Sequence, residues 1–221
     1  MEPSTFEMIA RITARERLLI ASSQGAAMDD PPDKVAALAD VARALDRVGV
    51  AFAVAGGVAV GIRSGVPRAT LDTNVAVPST VERSLLIEAL ATGGLRLTGT
   101  FAHSMNFRHA SGEPVQIIVD PQFDPMIDRV EAFDLAGLRI PVVTTADLIA
   151  MKERAAKDPA RRRSKALRDQ ADIALLRGDV PDPEESGMKS GKKGAVSRTS
   201  TSGGSRSRAR QTLTAYRGFG A

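Results

Sequence analysis

The sequence predicts an α/β (α+β) chain with a small mixed sheet flanked by helices, and three observations carry that expectation. Residues 34–48 hold Val35, Leu38, Val41, Ala42 and Leu45 at spacings of three and four, the stripe of a helix packed on one face. The next residues, Val50 to Ala55, are small and β-branched, as in a buried strand. Further on, short alternating runs are separated by Gly, Pro and Ser clusters and then give way to helical spacing again.

Taken in order, residues 4–20 read as an imperfectly amphipathic helix through Phe6, Ile9, Ile12 (or Thr13) and Arg17 with Leu18. Ser22 to Pro32 is small, polar and Pro-containing, a linker, and Asp33 is the expected cap of the helix at 34–48. After the strand at 50–55, Gly56-Gly57 supplies a sharp turn that can approach a ligand closely. Val58 to Arg63 is one to two helical turns, ended by Gly65-Val66-Pro67. Arg68-Ala69-Thr70 leads into a strand at 71–77, where alternation places Asp72 and Asn74 on one face. A helix capped by Ser79 or Thr80 follows, with Leu85, Leu86 and Leu90 inward, stopped at Gly93-Gly94.

Strands are then expected at 95–98, 105–109 and 115–120, with Ser111-Gly112-Glu113-Pro114 as a turn and Pro121 and Pro125 as terminators. A short hairpin spans 130–143 around Ala136-Gly137. Thr144 with Asp147 caps a helix at 146–156, and a last helix runs from about 160 to 177, with Lys165 and Asp169 as an i,i+4 pair. The organisation is therefore 1–32 as N-terminal helix and linker, 33–180 as the domain, and 181–221 as a disordered basic tail.

Composition narrows the chemistry. The absence of Cys excludes disulfides, thiolate catalysis and zinc thiolate sites, and His103 and His109 are the only imidazoles. No stretch is apolar for the ~18 residues of a membrane span, and Glu2 with Arg11, Arg15 and Arg17 is unlike a signal peptide, so the expectation is a cytoplasmic protein with no membrane partner. The net charge of +4 conceals two halves. Residues 186–221 carry eight cations and no acid, which leaves the rest of the chain at −4. Such a tail, with Arg206, Arg208 and Arg210 among serines, suits non-specific contact with nucleic-acid phosphates.

Two oxygen-bearing side chains on one strand face, beside a Gly-Gly turn, suit a metal–nucleotide site. Backbone N–H groups of the turn can bind phosphate, and side-chain oxygens can hold hard cations. The run Ala55-Gly56-Gly57-Val58-Ala59, then Arg68-Ala69-Thr70-Leu71-Asp72-Thr73-Asn74, resembles the nucleotidyltransferase fold of the DNA polymerase β type, and most closely the AbiEii-like toxin nucleotidyltransferases of toxin–antitoxin systems. The resemblance covers about residues 35–177. It implies a Mg²⁺ (or Mn²⁺) cofactor, an NTP substrate, and transfer of a nucleotide to a hydroxyl on RNA, protein or a small molecule. It makes Asp72 and Asn74 metal ligands, Gly56 and Gly57 phosphate binders, and Arg68 and Thr70 part of the nucleotide site. The family has Asp where this chain has Asn74, and an acid near the position of Gln116. Asp120, about 13 Å further along at ~3.3 Å per residue, is the remaining carboxylate on that strand face, or else the end of the strand before Pro121.

The helix Asp147-Leu148-Ile149-Ala150-Met151-Lys152 resembles the family's Leu-x-x-x-Lys helix. Lys152 starts on the apolar stripe, and it either snorkels to solvent, pairs with Asp72 or binds phosphate. Arg68 either binds phosphate or anchors its loop through a bidentate pair. In Lys165-Ala166-Leu167-Arg168-Asp169-Gln170-Ala171-Asp172-Ile173, which resembles the family's last motif, Asp169 and Asp172 suit pairing with Arg or Lys. Two functions follow from the resemblance: a Mg²⁺-dependent nucleotidyltransferase, or the same fold with a degenerate metal site serving as a binding module or partner subunit.

Overall fold

The computed structural model describes residues 3–25, 30–135 and 137–180. The basic tail at 181–221, the middle of the linker and Ala136 of the expected hairpin turn lie outside the described residues. Contacts group residues 1–181 as one unit.

Among the described residues the chain runs α1 (Thr5–Ser23), α2 (Lys34–Arg47), β1 (Ala53–Ala55), α3 (Gly56–Ser64), β2 (Thr73–Ala76), α4 (Arg83–Thr92), β3 (Leu95–Thr100), β4 (Ser104–His109) and β5 (Pro114–Ile118). It continues through a 3₁₀ turn (Pro121–Phe123), α5 (Asp124–Ile127), β6 (Glu131–Leu135), β7 (Leu138–Val142), α6 (Thr145–Lys157) and α7 (Arg163–Leu176). One mixed sheet of seven strands has the order β3-β4-β5-β2-β1-β7-β6. β1 lies antiparallel to β2 and parallel to β7, and β2 lies parallel to β5. The α/β class expected from the sequence is therefore the class observed.

β1 lies inside the sheet between β2 and β7, with α3 packed against it. Its Ala53, Val54 and Ala55 are fully buried, which only small or β-branched side chains permit between two close layers. α2 enters under Asp33, whose carboxylate accepts from Ala36 N, a cap that contributes about 1 kcal/mol. α1 begins with a reciprocal capping box between Ser4 and Glu7 and packs on α3 through Ile9. α6 and α7 also pack on α3.

Several boundaries differ from the sequence reading. α3 starts at Gly56, so the Gly-Gly turn is the first turn of the helix and not a loop before it. β2 starts at Thr73, because Arg17 donates to the carbonyl of Leu71 and holds residues 71 and 72 in a bend outside the ladder. α4 starts at Arg83 without a side-chain cap, because Ser79 is bound instead to Asp124 across the domain, at 2.8 Å (N) and 2.6 Å (Oγ). α7 starts at Arg163, three residues later than expected. Pro121 and Pro125 do end β5, but they sit in the 3₁₀ turn and α5. Proline fits a first helical turn, where its missing N–H has no partner to lose.

Candidate functional site

The side-chain period of two sorts β2 between two faces. Thr73 points to the α2 side, where its hydroxyl meets Glu113 at 3.1 Å and Lys34 at 3.2 Å. Asn74 points to the α3 side, into a cleft of about 530 Å³. The cleft is lined by Gly56 and Gly57, by residues 68–72, and by parts of α1, α6 and α7. Asp72, Asn74, Lys152, Gly56, Gly57, Arg68 and Thr70 all reach this cleft.

The Gly-Gly turn is required by its neighbours. Gly56 has φ +65°, and a Cβ there would lie 2.7 Å from Asn74 Nδ2. A Cβ on Gly57 would lie 2.6 Å from Thr70 Oγ1 and 3.2 Å from Arg68 Nη2. The turn thus closes directly on Asn74, Thr70 and Arg68, a contact only glycine allows.

Register decides the metal question. Asn74 stands opposite Ala55 on β1 and opposite Gln116 on β5, and Gln116 stands opposite Asn106 on β4. The Gln116 amide lies 3.4 Å from both Asn106 Oδ1 and Ser104 Oγ. Where the resemblance expects carboxylates facing one another across β2 and β5, the chain has a row of amides. Asp72 is the acid at this point. Asp120 does not join it: its carboxylate accepts from Gln122 N at 3.0 Å and Gln122 Nε2 at 2.8 Å, capping the 3₁₀ turn, and it is not part of the cleft lining. Among the described residues, no three His, Asp or Glu side chains gather in a way that could hold a metal ion.

Lys152 does not pair with Asp72. Its ammonium lies 2.8 Å from Asp169 and 2.8 Å from Asp172, both buried on α7. Arg161 also pairs with Asp169, and Arg68 Nη2 donates to Asp172 at 2.9 Å. The i,i+4 pair expected between Lys165 and Asp169 is not formed, because Asp169 points inward to Lys152 and Arg161. Burial pushes the Asp169 carboxyl up, but hydrogen bonds and charge from Lys152 and Arg161 outweigh it and hold the group below the ordinary carboxylate value. The Arg68 anchor is therefore not bidentate: Nη2 donates to an aspartate on α7 and Nη1 to the carbonyl of Ala69 at 3.4 Å, and among the described residues Nε is buried without a partner.

Beneath the same strand lies a second charged cluster, which sequence reasoning missed. Glu113, read as a turn residue, is fully buried and pairs with Lys34 and with Arg17 at 2.7 Å. Burial lowers the Lys34 ammonium below its ordinary value, and Glu113 partly offsets that. Arg17 joins this cluster to the carbonyl of Leu71, and Thr70 N donates to Thr13 Oγ1 at 3.1 Å. α1 thus holds the loop that carries Asp72.

Sequence reasoning also missed part of the cleft wall. Arg161 lines it from the segment before α7, Lys165 and Arg168 from α7, and Glu16 and Ile20 from α1. The cluster Arg161-Arg162-Arg163 with Lys165 and Arg168 was visible in the sequence; nothing local marked Glu16 or Ile20.

No family model matches the chain, and no curated protein matches it. Among solved structures it is similar to the crystal structure of ANT(2")-Ia in complex with adenylyl-2"-tobramycin, with a TM-score of 0.51 and 16% identity over 66% of this chain and 90% of that one. It is likewise similar to the solution structure of the antibiotic-resistance factor ANT(2'')-Ia, with a TM-score of 0.50 and 16% identity over 66% and 85% of the two chains. A lincomycin-bound lincosamide antibiotic adenylyltransferase, LnuA, aligns at a TM-score of 0.48 and 14% identity over 65% and 96%. At these identities the first two establish a shared fold.

Proposed function

We propose that this chain, which has a nucleotidyltransferase-like fold, binds a nucleoside triphosphate in the cleft, with the phosphates on the wall built by α6 and α7. The supporting observation is the convergence of Arg161, Lys165, Arg168 and Lys152 on the cleft that also holds the Gly56-Gly57 turn. Lys165 and Arg168 are exposed and make no ion pair among the described residues, so their charge is available to a ligand. Phosphate oxygens take charge-assisted hydrogen bonds from such groups, and backbone N–H groups at the start of α3 add donors.

The residues do not fit a two-metal centre. Two divalent ions bring four positive charges, and the cleft offers Asp72 and the neutral oxygen of Asn74, while Gln116 beside Asn74 in the ladder is equally neutral and Asp169 is already bound to Lys152 and Arg161. Replacing a carboxylate by an amide removes the charge that hard cations need. Asp72 and Asn74 would be the donors to a single Mg²⁺ or Mn²⁺. When bound there, it would neutralise phosphate charge. On this reading the chain is a nucleotide-binding module with a reduced metal site.

A second reading, Mg²⁺-dependent nucleotidyl transfer of the AbiEii-like kind, is favoured by Asp72 standing in the cleft beside Asn74 and the glycine turn. In that reaction an acceptor hydroxyl on RNA, protein or a small molecule attacks the α-phosphorus, the bond to the β-phosphate oxygen breaks, and pyrophosphate leaves. The likeness to a structure holding an adenylylated aminoglycoside directs attention to small-molecule acceptors.

Calorimetry with each NTP, with and without Mg²⁺, tests binding. The expected result is binding that persists without metal and strengthens with it; absence of binding for all four NTPs would overturn the proposal. Incorporation from labelled NTPs by wild type, Asp72→Ala and Asn74→Asp separates the readings. Activity that rises in Asn74→Asp and vanishes in Asp72→Ala supports transfer. No incorporation by any of the three, alongside intact binding, supports the module.

A further inference from the structure

The cleft is polarised along its length. The cations Lys152, Arg161, Lys165 and Arg168 come from α6, α7 and the segment between them. The other wall is built by α1 and the loop before β2, and it sets the acids Glu16 and Asp72 against one cation, Arg68, which is paired with Asp172 of α7; on the first wall the single acid, Asp169, is held by Lys152 and Arg161. A phosphate chain is attracted more strongly by the first wall than by the second. On the acidic wall two large apolar side chains face the same opening: Ile20, 43% exposed, and Leu71, 56% exposed. Single exposed aliphatics are ordinary on a protein surface, but two that converge in one cleft form an apolar contact area.

This lip is built to stay in place. Arg17 donates to the carbonyl of Leu71 while it also pairs with Glu113 at 2.7 Å. Thr70 N donates to Thr13 Oγ1, one helical turn before Arg17. Ile20 follows Glu16 by four residues on α1, so both lie over the same side of the helix. The wall therefore needs no ordering when a ligand arrives, which favours affinity.

Resting on the nucleotide reading above, we infer that Ile20 and Leu71 form a subsite for the base of the bound nucleotide, so that the ligand lies across the cleft with its base on α1 and its phosphates on α7. A nucleoside triphosphate has this polarity, an apolar planar face at one end and a dense negative charge at the other. Glu16, one turn from Ile20 on α1, disfavours the reverse orientation by repulsion.

The test compares ATP with inorganic tripolyphosphate on the full chain by calorimetry, for wild type and for the double variant Ile20→Ser with Leu71→Ser. At roughly 25 cal/mol per Å² of apolar area covered, the lip should make ATP bind about tenfold more tightly than tripolyphosphate. The double variant should lose about that factor for ATP and leave tripolyphosphate unchanged. Both side chains are exposed, so melting temperature should stay constant; Leu71→Ala alone serves as a milder second variant. Equal affinity for the two ligands, or ATP binding unaffected by the double variant, overturns the subsite while leaving phosphate binding intact. Failure of both ligands to bind overturns the nucleotide reading and the subsite with it.

Discussion

Two charged clusters flank the strand that carries Asn74, and they use the same chemistry in different settings. In the first, Arg17, Lys34 and Glu113 meet Thr73; Glu113 and Lys34 are essentially sealed from solvent. In the second, Arg68, Lys152 and Arg161 share Asp169 and Asp172; the carboxylates are sealed, but the side chains of Arg68 and Arg161 are 23% and 31% exposed and border the cleft. The first closes on protein groups alone, which suits a strut that fixes α1, α2 and the Asp72 loop. The second has its anions inside and its cations at the rim, which suits a wall that meets an anionic ligand. Burial of the partners, and not the number of ion pairs, separates scaffold from site.

The largest expected effect breaks the strut. Glu113→Ala leaves Lys34 and Arg17 as uncompensated buried cations and should cost about 3–5 kcal/mol in denaturant unfolding. A change near zero would mean that Lys34 escapes to water or deprotonates at no cost, and the cluster would then resemble the rim of the second.

Asp169→Asn should cost less, about 1–3 kcal/mol, since Lys152 keeps Asp172 and Arg161 reaches solvent. Its sign with pH is also fixed. The folded-state value of Asp169 is depressed, so its stabilisation is full above the ordinary 3.8 and is lost as pH falls through the lower folded value. Wild type should lose stability over that acid range more steeply than Asp169→Asn; identical acid titrations would remove Asp169 from the account.

A third variant sharpens the contrast by touching the rim without the buried acids. Lys165→Ala combined with Arg168→Ala should weaken tripolyphosphate binding about tenfold, close to 1.4 kcal/mol, with unfolding unchanged. Loss of stability in place of affinity would make α7 scaffold as well.

The smallest expected effect is the pH dependence that Lys34 contributes. Its folded-state value is lowered by burial, so between that value and 10.5 the unfolded chain binds more protons and stability rises with pH. Lys34→Met should flatten that rise in alkaline denaturation curves, while an unchanged slope would point to another titrating group.

Much of the fold was written locally. The stripe of α2, the small β-branched run of β1 and the capping pairs at Asp33 and Thr144 each depend on neighbours within about four residues, and each appeared where expected, although the strand is shortened from 50–55 to Ala53–Ala55. Gly56-Gly57 and Asn74 share the cleft with Asp72, as the local pattern led one to expect, but Asp72 reaches it from a bend held by Arg17 and not from the strand period. Boundaries failed where a distant partner intervened, as with Asp124 holding Ser79 or Arg17 holding Leu71.

The sequence by itself determined the α/β class, the glycine turn, and that Asn74 and Gln116 are amides where the resembling family has acids. Only the tertiary structure decided that those amides face one another, since register couples residues 42 positions apart. It also decided that Lys152 answers to α7 and not to Asp72, that Glu113 is a buried anion and not a turn residue, and that α1 supplies a wall of the cleft. The physical reason is range. Propensity, periodicity and capping act within a helical turn or a strand, whereas charge compensation in a buried site is set by whichever segments the packing brings within ~4 Å.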